Sequence, residues 1–199
     1  KCLEYFNHKR DGYFVDIGSH DGKDLSNTYR LEKEYGWKGI CVEPLEEEFK
    51  KCVESRPSSI CVNTCIYDHN GTVRFNQVTR GNNYNMLSGI DDENYIAKEF
   101  INKDPNSKIG KFKTKTVTFE KIVPTNAIID YLSLDIEGGE MDLLESIDFS
   151  KYKIKVISVE NNSPDKINFE LFFKKKNYSF FDRVGQDEIF FNNNFFKLN

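Results

Sequence analysis

Two acids and two glycines near the start of the chain have the types and the spacing of a site for a nucleotide-like cofactor. Asp16 lies at the end of an apolar stretch, and Gly18 and Gly22 follow it. Glycines there let the backbone turn tightly from a strand into a helix, at the sheet edge where α/β proteins bind ligands. Glu43 ends a second apolar stretch, twenty-one residues beyond Gly22. An acid at about that distance can hydrogen-bond both hydroxyls of a ribose.

The glycine pattern distinguishes between cofactors. The dinucleotide fingerprint G-x-G-x-x-G requires glycine where His20 and Lys23 stand, which argues against NAD. The P-loop pattern fails as well, because Ile17 replaces its first glycine and Asp24 its magnesium-binding hydroxyl. Acids without a phosphate cradle favour a cationic amino-acid nucleoside such as S-adenosylmethionine, whose ammonium and sulfonium groups prefer carboxylates.

Four predicted strands end in acidic residues, namely Asp16, Glu43, Asp135 and Glu160. Because the carboxyl ends of parallel strands meet at one edge of a sheet, we expect these side chains to share a cleft. A carboxylate at a strand end can also simply cap the following helix. Four in succession, two of them followed by glycine-rich turns, favour a binding site.

The hydrophobic pattern alternates between strands and helices, which predicts one α/β domain over residues 1–199 with a mostly parallel sheet. Since the chain does not begin with methionine, we expect it to be excised from a longer protein. The predicted strands cover residues 13–17, 38–42, 59–63, 113–117, 130–135 and 154–160, and the predicted helices cover 24–35, 45–54 and a stretch through 145.

Two middle stretches depart from this alternation. Residues 64–75 predict an extended segment and a hairpin around Asn70-Gly71, a strong turn signal. Residues 77–110 lack regular periodicity apart from a helical pattern near 93–103. Such a long irregular segment is typical of a lid or a binding loop.

The C-terminal part of the chain predicts a helix and an antiparallel edge. After Pro164, the apolar residues expected to be buried by the helix are Ile167, Leu171 and Phe172. A turn at Gly185 separates two further strands, 178–182 and 188–191, which we expect to pair antiparallel.

Composition restricts the partners and the compartment. The net charge of −4 provides no broad cationic field for nucleic acid or anionic lipid. No apolar stretch approaches the roughly 20 residues that cross a bilayer. An odd number of cysteines without a C-x-x-C pair argues against zinc and predicts free thiols in a reducing, cytoplasmic compartment. These cysteines are Cys2, Cys41, Cys52, Cys61 and Cys65.

Two motifs are specific: Trp-x-Gly-x-x-x-Glu-Pro at residues 37–44 and Asp-x-Glu-Gly-x-Glu at residues 135–140. With the stretches 13–18, 87–90 and 157–160, they resemble the FkbM family of S-adenosylmethionine-dependent methyltransferases. The resemblance implies the class I methyltransferase fold, a Rossmann-like three-layer α/β sandwich with a mostly parallel sheet and an antiparallel C-terminal strand. It also implies O-methylation, commonly of sugars or polyketide-type hydroxyls, with S-adenosylhomocysteine as the product.

The resemblance assigns residues to the cofactor. Asp16, Gly18 and Gly22 are expected to hold its methionine portion, Glu43 its ribose, and Cys65-Ile66 its adenine. His20 replaces a glycine of the wider methyltransferase pattern, so we expect its side chain to contact the methionine end. The expected cofactor-binding residues are Asp16, Gly18, Ser19, His20, Gly22, Ser26, Glu43, Pro44, Cys65, Ile66 and Asp135.

Asp135 is the first candidate for the catalytic base, with Glu137, Glu160 and His20 as further candidates. Methyl transfer is an in-line displacement that depends on positioning the acceptor oxygen, and a nearby base favours loss of its proton. The three acids could instead bind a divalent cation that orients the acceptor's hydroxyls, although the sequence does not predict a metal.

The leading hypothesis for the acceptor is a sugar or glycan hydroxyl, such as that of a terminal rhamnose or another deoxyhexose, with glycosyltransferase domains in the same polypeptide. Candidate substrate contacts are Arg80, Tyr84 and Ser88. An RNA ribose 2′-O-methyltransferase is one alternative, but it requires a lysine near the position of Glu140. The other alternative is a catalytically silent module that binds cofactor or supports assembly.

Overall fold

The computed structural model describes residues 2–80, 86–91, 95 and 106–196, which form two sheets and six α-helices. The strands are β1 Tyr13–Ile17, β2 Lys38–Val42, β3 Ile60–Val62, β4 Cys65–Ile66, β5 Gly71–Arg80, β6 Gly89–Ile90, β7 Ser107–Val117, β8 Ile128–Leu134, β9 Lys153–Glu160, β10 Tyr178–Val184 and β11 Asp187–Asn192. The helices are α1 Cys2–Tyr5, α2 Tyr29–Tyr35, α3 Glu46–Ser55, α4 Phe119–Ile122, α5 Glu140–Ser146 and α6 Phe169–Lys175, with a 3-10 turn at Phe149–Lys151.

The main sheet has seven strands in the order β10-β11-β9-β8-β1-β2-β3. β1 pairs in parallel with β2 and β8, whereas β11 is antiparallel to both β9 and β10. Val15 and Ile17 of β1 pack in one cluster with residues of α4, α5 and α6, and Phe14 packs on the other face with residues of α2 and α3. Helices therefore cover both faces, which confirms the predicted three-layer α/β fold with its antiparallel strand.

The parallel pairing brings the ends of four strands to one edge of the main sheet. β1 ends at Ile17, β2 at Val42, β8 at Leu134 and β9 at Glu160. The acids that sequence analysis placed at strand ends therefore lie on or next to the same edge, as predicted from the parallel arrangement.

A second sheet, in the order β4-β7-β5-β6, stands where sequence analysis predicted a hairpin. The hairpin prediction for residues 64–75 is wrong, because β4 pairs in parallel with β7 and β5 pairs antiparallel with the same strand. The Asn70-Gly71 turn thus joins two strands that flank β7. Residues 77–110 contribute the end of β5, β6 and the start of β7. Most of the predicted helix at 93–103 lies outside the described residues.

The first long helix begins five residues later than predicted, at Tyr29. The Asp21 carboxylate accepts hydrogen bonds from the backbone of Lys23 and Asp24, and Leu25 has a left-handed φ of 56°, so this stretch forms turns. The helix ends as predicted at Gly36, whose φ of 71° allows its N–H to reach the last helical carbonyls.

The predicted burial of the last helix is wrong for Leu171, whereas Ile167 and Phe172 pack partly buried against the core as predicted. The buried residues of α6 are Phe169 and Phe173, whereas Leu171 is 55% exposed. The side chain of Asn168 accepts a hydrogen bond from Leu171 N–H and caps the helix there, so α6 begins later than predicted. None of the helices in the described ranges has the length and apolar character to span a bilayer.

Candidate functional site

A cavity of about 630 Å³ opens at the edge where the parallel strands end. The turns after β1, β2, β8 and β9 form one side of it, and residues of β4, β5 and β6 in the second sheet form the other. Of the predicted site residues, those that line it are Asp16, Gly18, Ser19, His20, Ser26, Glu43, Pro44, Cys65, Ile66, Ser88, Asp135, Glu137 and Glu160.

The turn after β1 is fixed between two neighbouring strands. The N–H groups of Gly18 and Ser19 both donate to the carbonyl of Val42, and Asp135 N–H donates to the carbonyl of Ile17. Gly18 has a φ of 84°, and a Cβ there would lie 1.6 Å from the carbonyl oxygen of Asp135. Only glycine fits this position, because both the backbone conformation and the space exclude a side chain.

Glu43 links the turns that follow β1 and β2. One carboxylate oxygen accepts the N–H of His20 at 2.9 Å, and the other accepts that of Leu45 at 2.7 Å. Burial raises the pKa of Glu43 to about 8, against the lowering effect of these two hydrogen bonds. Each carboxylate oxygen retains acceptor capacity for a ligand hydroxyl facing the cavity.

The Asp16 carboxylate is directed mainly at protein groups. It accepts hydrogen bonds from the hydroxyls of Thr28 and Ser26, and the guanidinium of Arg56 lies 3.4 Å away. Burial raises the pKa of Asp16, although the Arg56 charge acts in the opposite direction. Asp16 therefore helps to hold the turn after β1 in place, in addition to lining the cavity.

Gly22 does not line the cavity, in contrast to its predicted role in holding cofactor. It has a φ of 76°, and a Cβ there would lie 2.6 Å from Ser55 Oγ and 2.9 Å from Cys52 Sγ. Gly22 thus allows close packing of the turn on α3. The ring of His20 lies close to two acids. Its Nε2 is 3.6 Å from a carboxylate oxygen of Glu48, and its Nδ1 is 3.8 Å from a carboxylate oxygen of Asp21.

The turns after β8 and β9 bring three acids together. Carboxylate oxygens of Asp135, Glu137 and Glu160 all lie within 4.8 Å of one another. Glu137 has a left-handed φ of 58°, a costly conformation for a residue with a side chain and one that often marks a functional site. Glu140 instead closes the loop, since its carboxylate accepts the N–H of Gly138 at 2.9 Å.

These carboxyl groups keep their protons at pH values at which exposed acids have lost them. Desolvation is the main cause: it raises the pKa of Asp135 to about 7, that of Glu137 to about 8 and that of Glu160 to about 10. Asp135 is open to the cavity, but protein surrounds that space, so its carboxylate is poorly solvated. Asp135 and Glu160 share a hydrogen bond. The cluster can therefore hold and exchange a proton near neutral pH, and its oxygens are also of the kind that hold a divalent cation.

A family model described as the methyltransferase FkbM domain matches residues 16–181. The chain belongs to the FkbM methyltransferase family. The family is one of methyltransferases, and membership implies the use of S-adenosylmethionine. None of the curated proteins matches the sequence.

Several solved methyltransferase structures are similar to this chain, and the first one below shares its fold. An FkbM methyltransferase from Methylobacillus flagellatus KT is 11% identical with a TM-score of 0.56, over 91% of this chain and 43% of that one. A methyltransferase from Pyrococcus furiosus is 16% identical with a TM-score of 0.49, over 96% and 79% of the two chains. The N-terminal domain of human METTL16 is 12% identical with a TM-score of 0.44, over 95% and 65%. The chain thus spans less than half the length of the Methylobacillus protein.

The predicted substrate contacts of this FkbM domain are placed unequally. Ser88 lines the cavity, where its hydroxyl accepts the N–H of Val78. Arg80 ends β5, but only its backbone is described, and Tyr84 lies outside the described residues. Sequence analysis did not identify the apolar wall from the second sheet and its connections, since no periodic signal marked it. This wall consists of Phe75, Met86, Leu87 and Ile90, and Leu45 from the turn after β2 adds to it.

The acid cluster predicts how the stability of the FkbM domain without ligand depends on pH. The folded state raises the pKa of all three acids, so it favours their protonated forms. This stabilisation is complete below the unfolded pKa values, near 4, and is lost as pH rises through the folded values. We expect the melting temperature to fall between about pH 5 and pH 9, by about 2–4 °C for each kcal/mol lost.

Thermal unfolding monitored by circular dichroism measures this dependence. Glu160→Gln removes one of the three titrating groups, so we expect a shallower fall in melting temperature with pH. A melting temperature that stays constant or rises over this range in the native chain would contradict the role assigned to the cluster.

Proposed function

We propose that this FkbM domain transfers a methyl group from S-adenosylmethionine to a hydroxyl of a sugar or glycan, with a terminal deoxyhexose such as rhamnose as the first acceptor class. The observation that carries the proposal is the cluster of Asp135, Glu137 and Glu160, which borders the same cavity as Glu43. Glycosyltransferase domains elsewhere in the same polypeptide would supply such an acceptor.

The residues that line the cavity suit the cofactor that the family implies. Glu43 provides acceptor oxygens for the ribose hydroxyls, and Ile66, Phe75 and Leu45 provide apolar contacts for the adenine. The Asp135 carboxylate attracts the cationic methionine end. When bound, S-adenosylmethionine supplies an electrophilic methyl group.

Asp135 is the residue best suited to take the acceptor's proton. It has the lowest pKa of the three acids, about 7, so at neutral pH it loses its proton before Glu137 and Glu160. A base is most effective when its pKa lies near the working pH. Glu160, which hydrogen-bonds Asp135, holds that carboxyl in place and keeps a proton nearby.

The charge around the cavity favours a sugar acceptor over RNA. Among the described residues that line the cavity, Arg183 is the single lysine or arginine. An RNA chain requires several cations along its phosphates, whereas sugar hydroxyls hydrogen-bond well to carboxylates and amides. The acid cluster and the net charge of −4 therefore support a neutral polyhydroxyl acceptor.

Titration calorimetry with S-adenosylmethionine tests the cofactor part of the proposal. We expect one equivalent to bind, with an affinity in the range of about 1 µM to 1 mM that is common for enzyme substrates. S-adenosylhomocysteine should compete for the same site. Absence of binding to the folded protein would overturn the cofactor assignment.

A mass-spectrometric screen tests the acceptor. The panel contains rhamnosides, other glycosides, RNA oligonucleotides and small-molecule alcohols, each incubated with the chain and S-adenosylmethionine. We expect a gain of one methyl group on a sugar hydroxyl. Methylation of RNA alone would overturn the sugar assignment, and cofactor binding without transfer to any acceptor would favour a catalytically silent module.

A further inference from the structure

Three cysteines form a cluster next to the turn that follows β1, outside the cavity. The sulfur atoms of Cys41, Cys52 and Cys61 all lie within 4.8 Å of one another, and those of Cys52 and Cys61 are 3.7 Å apart. Cys41 and Cys61 are register partners on the adjacent parallel strands β2 and β3, so their side chains share one face of the sheet. Cys52 reaches them from α3, which packs on that face.

The spacing of the sulfur atoms fits coordination of one metal ion. With metal–sulfur bonds of about 2.3 Å, two thiolates of a tetrahedral site lie about 3.8 Å apart, and those of a trigonal site about 4.0 Å. The observed 3.7 Å between Cys52 and Cys61 matches the tetrahedral edge. We propose that Cys41, Cys52 and Cys61 bind one thiophilic metal ion of the Zn²⁺ and Cu⁺ class.

The surroundings of the cluster suit a thiolate site. Cys41 and Cys52 are buried, which excludes water, whereas Cys61 lies half-buried on the edge strand of the main sheet and provides a path for entry. The Ser19 hydroxyl lies 3.6 Å from the sulfur of Cys52, where it can hydrogen-bond a bound thiolate. Arg56 interacts electrostatically with Cys41 and Cys61.

Binding of a metal ion changes the charge of the cluster. Three thiols that bind Zn²⁺ release three protons to solvent and leave a complex with one negative charge, while Cu⁺ leaves two. The guanidinium of Arg56 is buried beside the cluster, but it also lies 3.4 Å from Asp16 and 3.3 Å from Glu32, so it offsets the charge of the complex only in part. Soft thiolate ligands select these ions over Mg²⁺ or Ca²⁺, which prefer oxygen.

Cobalt titration tests the site directly. The full chain, reduced and stripped of metal with a chelator, is titrated with Co²⁺ as a spectroscopic substitute for Zn²⁺. We expect thiolate-to-cobalt charge-transfer absorption that saturates at one equivalent and disappears on addition of Zn²⁺. The acid cluster cannot produce this band because it has only oxygen ligands. A parallel titration measures Cu⁺ affinity by competition with a coloured chelator.

Two serine substitutions separate this site from other thiols. Cys61→Ser removes the most accessible ligand. Residues that only hydrogen-bond a metal ligand contribute about 10–100-fold to metal affinity, so we expect the loss of a ligand itself to weaken binding by more than that. Cys65→Ser is the matched control, because Cys65 is a buried cysteine outside the cluster, and it should bind like the native chain. The proposal is wrong if the folded native chain binds neither ion, or if Cys61→Ser binds as tightly as the control. Neither result depends on methyl transfer.

Discussion

Replacing Asp135 by asparagine is expected to lower methyl-transfer turnover by about 10²–10⁴-fold, the usual contribution of a general base. Asparagine keeps the shape of the side chain and can still hydrogen-bond Glu160, but it cannot accept the acceptor's proton. The backbone of Asp135 holds the turn through its N–H and through the close approach of its carbonyl to Gly18, and this substitution leaves both intact. Cofactor affinity should therefore change much less than turnover.

The measurement combines steady-state kinetics with titration calorimetry. Radiolabelled methyl transfer to the acceptor found by the screen gives turnover, and calorimetry gives cofactor affinity. Asp165→Asn is the matched control, since Asp165 is an exposed aspartate that does not line the cavity, and it should retain native turnover. Native turnover in Asp135→Asn would remove this residue from the mechanism. A loss of cofactor affinity as large as the loss of turnover would make Asp135 a binding residue instead.

A second substitution distinguishes the proton acceptor from its neighbour. Glu160→Gln keeps a hydrogen bond to Asp135 but removes a carboxyl whose pKa is raised to about 10. Since Glu160 stays protonated at neutral pH, we expect a smaller loss of turnover than for Asp135→Asn. Because Glu160 is neutral where Asp135 titrates, its replacement by glutamine removes no negative charge there, so the pH at which turnover rises should stay close to that of the native chain.

The parallel part of the fold could be predicted because its signals are local. Each buried strand is an apolar run, and the glycine-rich turns and acids mark the strand ends. Once those strands are parallel, their ends share an edge, so Asp16, Glu43, Asp135 and Glu160 could be placed at one cleft without knowledge of packing. This step required only the order of the elements.

The second sheet could not be predicted because its pairing is long-range. β7 reads as a short strand at 113–117, but it extends from Ser107 and pairs with β5 over ten residues that alternate polar and apolar. Neither strand is flanked by a signal that indicates its partner, and the residues of β4 and β7 that pair are 51 positions apart in the sequence. The apolar wall of the cavity therefore depends on contacts that a single sequence does not encode locally.

Part of the family motif at residues 37–44 packs inside the fold and does not form the site. Trp37 is fully buried, and its indole N–H donates to the carbonyl of Lys9 at 2.8 Å. A Cβ on Gly39 would lie 2.2 Å from the carbonyl oxygen of Phe14. Within residues 37–44, only Val42, Glu43 and Pro44 line the cavity. A specific motif can thus identify the family while only part of it forms the site.

Arg56 supports the site without lining the cavity, and sequence analysis missed it as well, because an arginine at a helix end is usually solvated. It is 1% exposed, and its guanidinium lies 3.4 Å from Asp16 and 3.3 Å from Glu32. It also donates to the carbonyl of Gly22 and to the hydroxyl of Ser26. One side chain from the end of α3 therefore holds the turn that carries Gly18.

Arg56→Met is expected to destabilise the folded chain by about 3–5 kcal/mol, the usual cost of leaving a buried charge without its partner. Two buried carboxylates, Asp16 and Glu32, would lose their cation. Chemical denaturation measures the free energy of unfolding. The control is Arg30→Met, since Arg30 pairs with Glu34 on the exposed face of α2 and such surface pairs contribute about 0.3–0.5 kcal/mol.

Further substitutions show whether Arg56→Met loses stability through unpaired charge or through lost packing. If unpaired charge is the cause, adding Glu32→Gln to Arg56→Met should recover stability, because the second change removes a buried negative charge. Arg56→Lys should fall between the native chain and Arg56→Met, since lysine keeps the charge but not the planar set of donors that reaches both acids. If Arg56→Met were as stable as the Arg30→Met control, the two buried acids would not depend on the charge of Arg56. Hydroxyl groups and the close packing of glycines would then be what holds the turn after β1 in place.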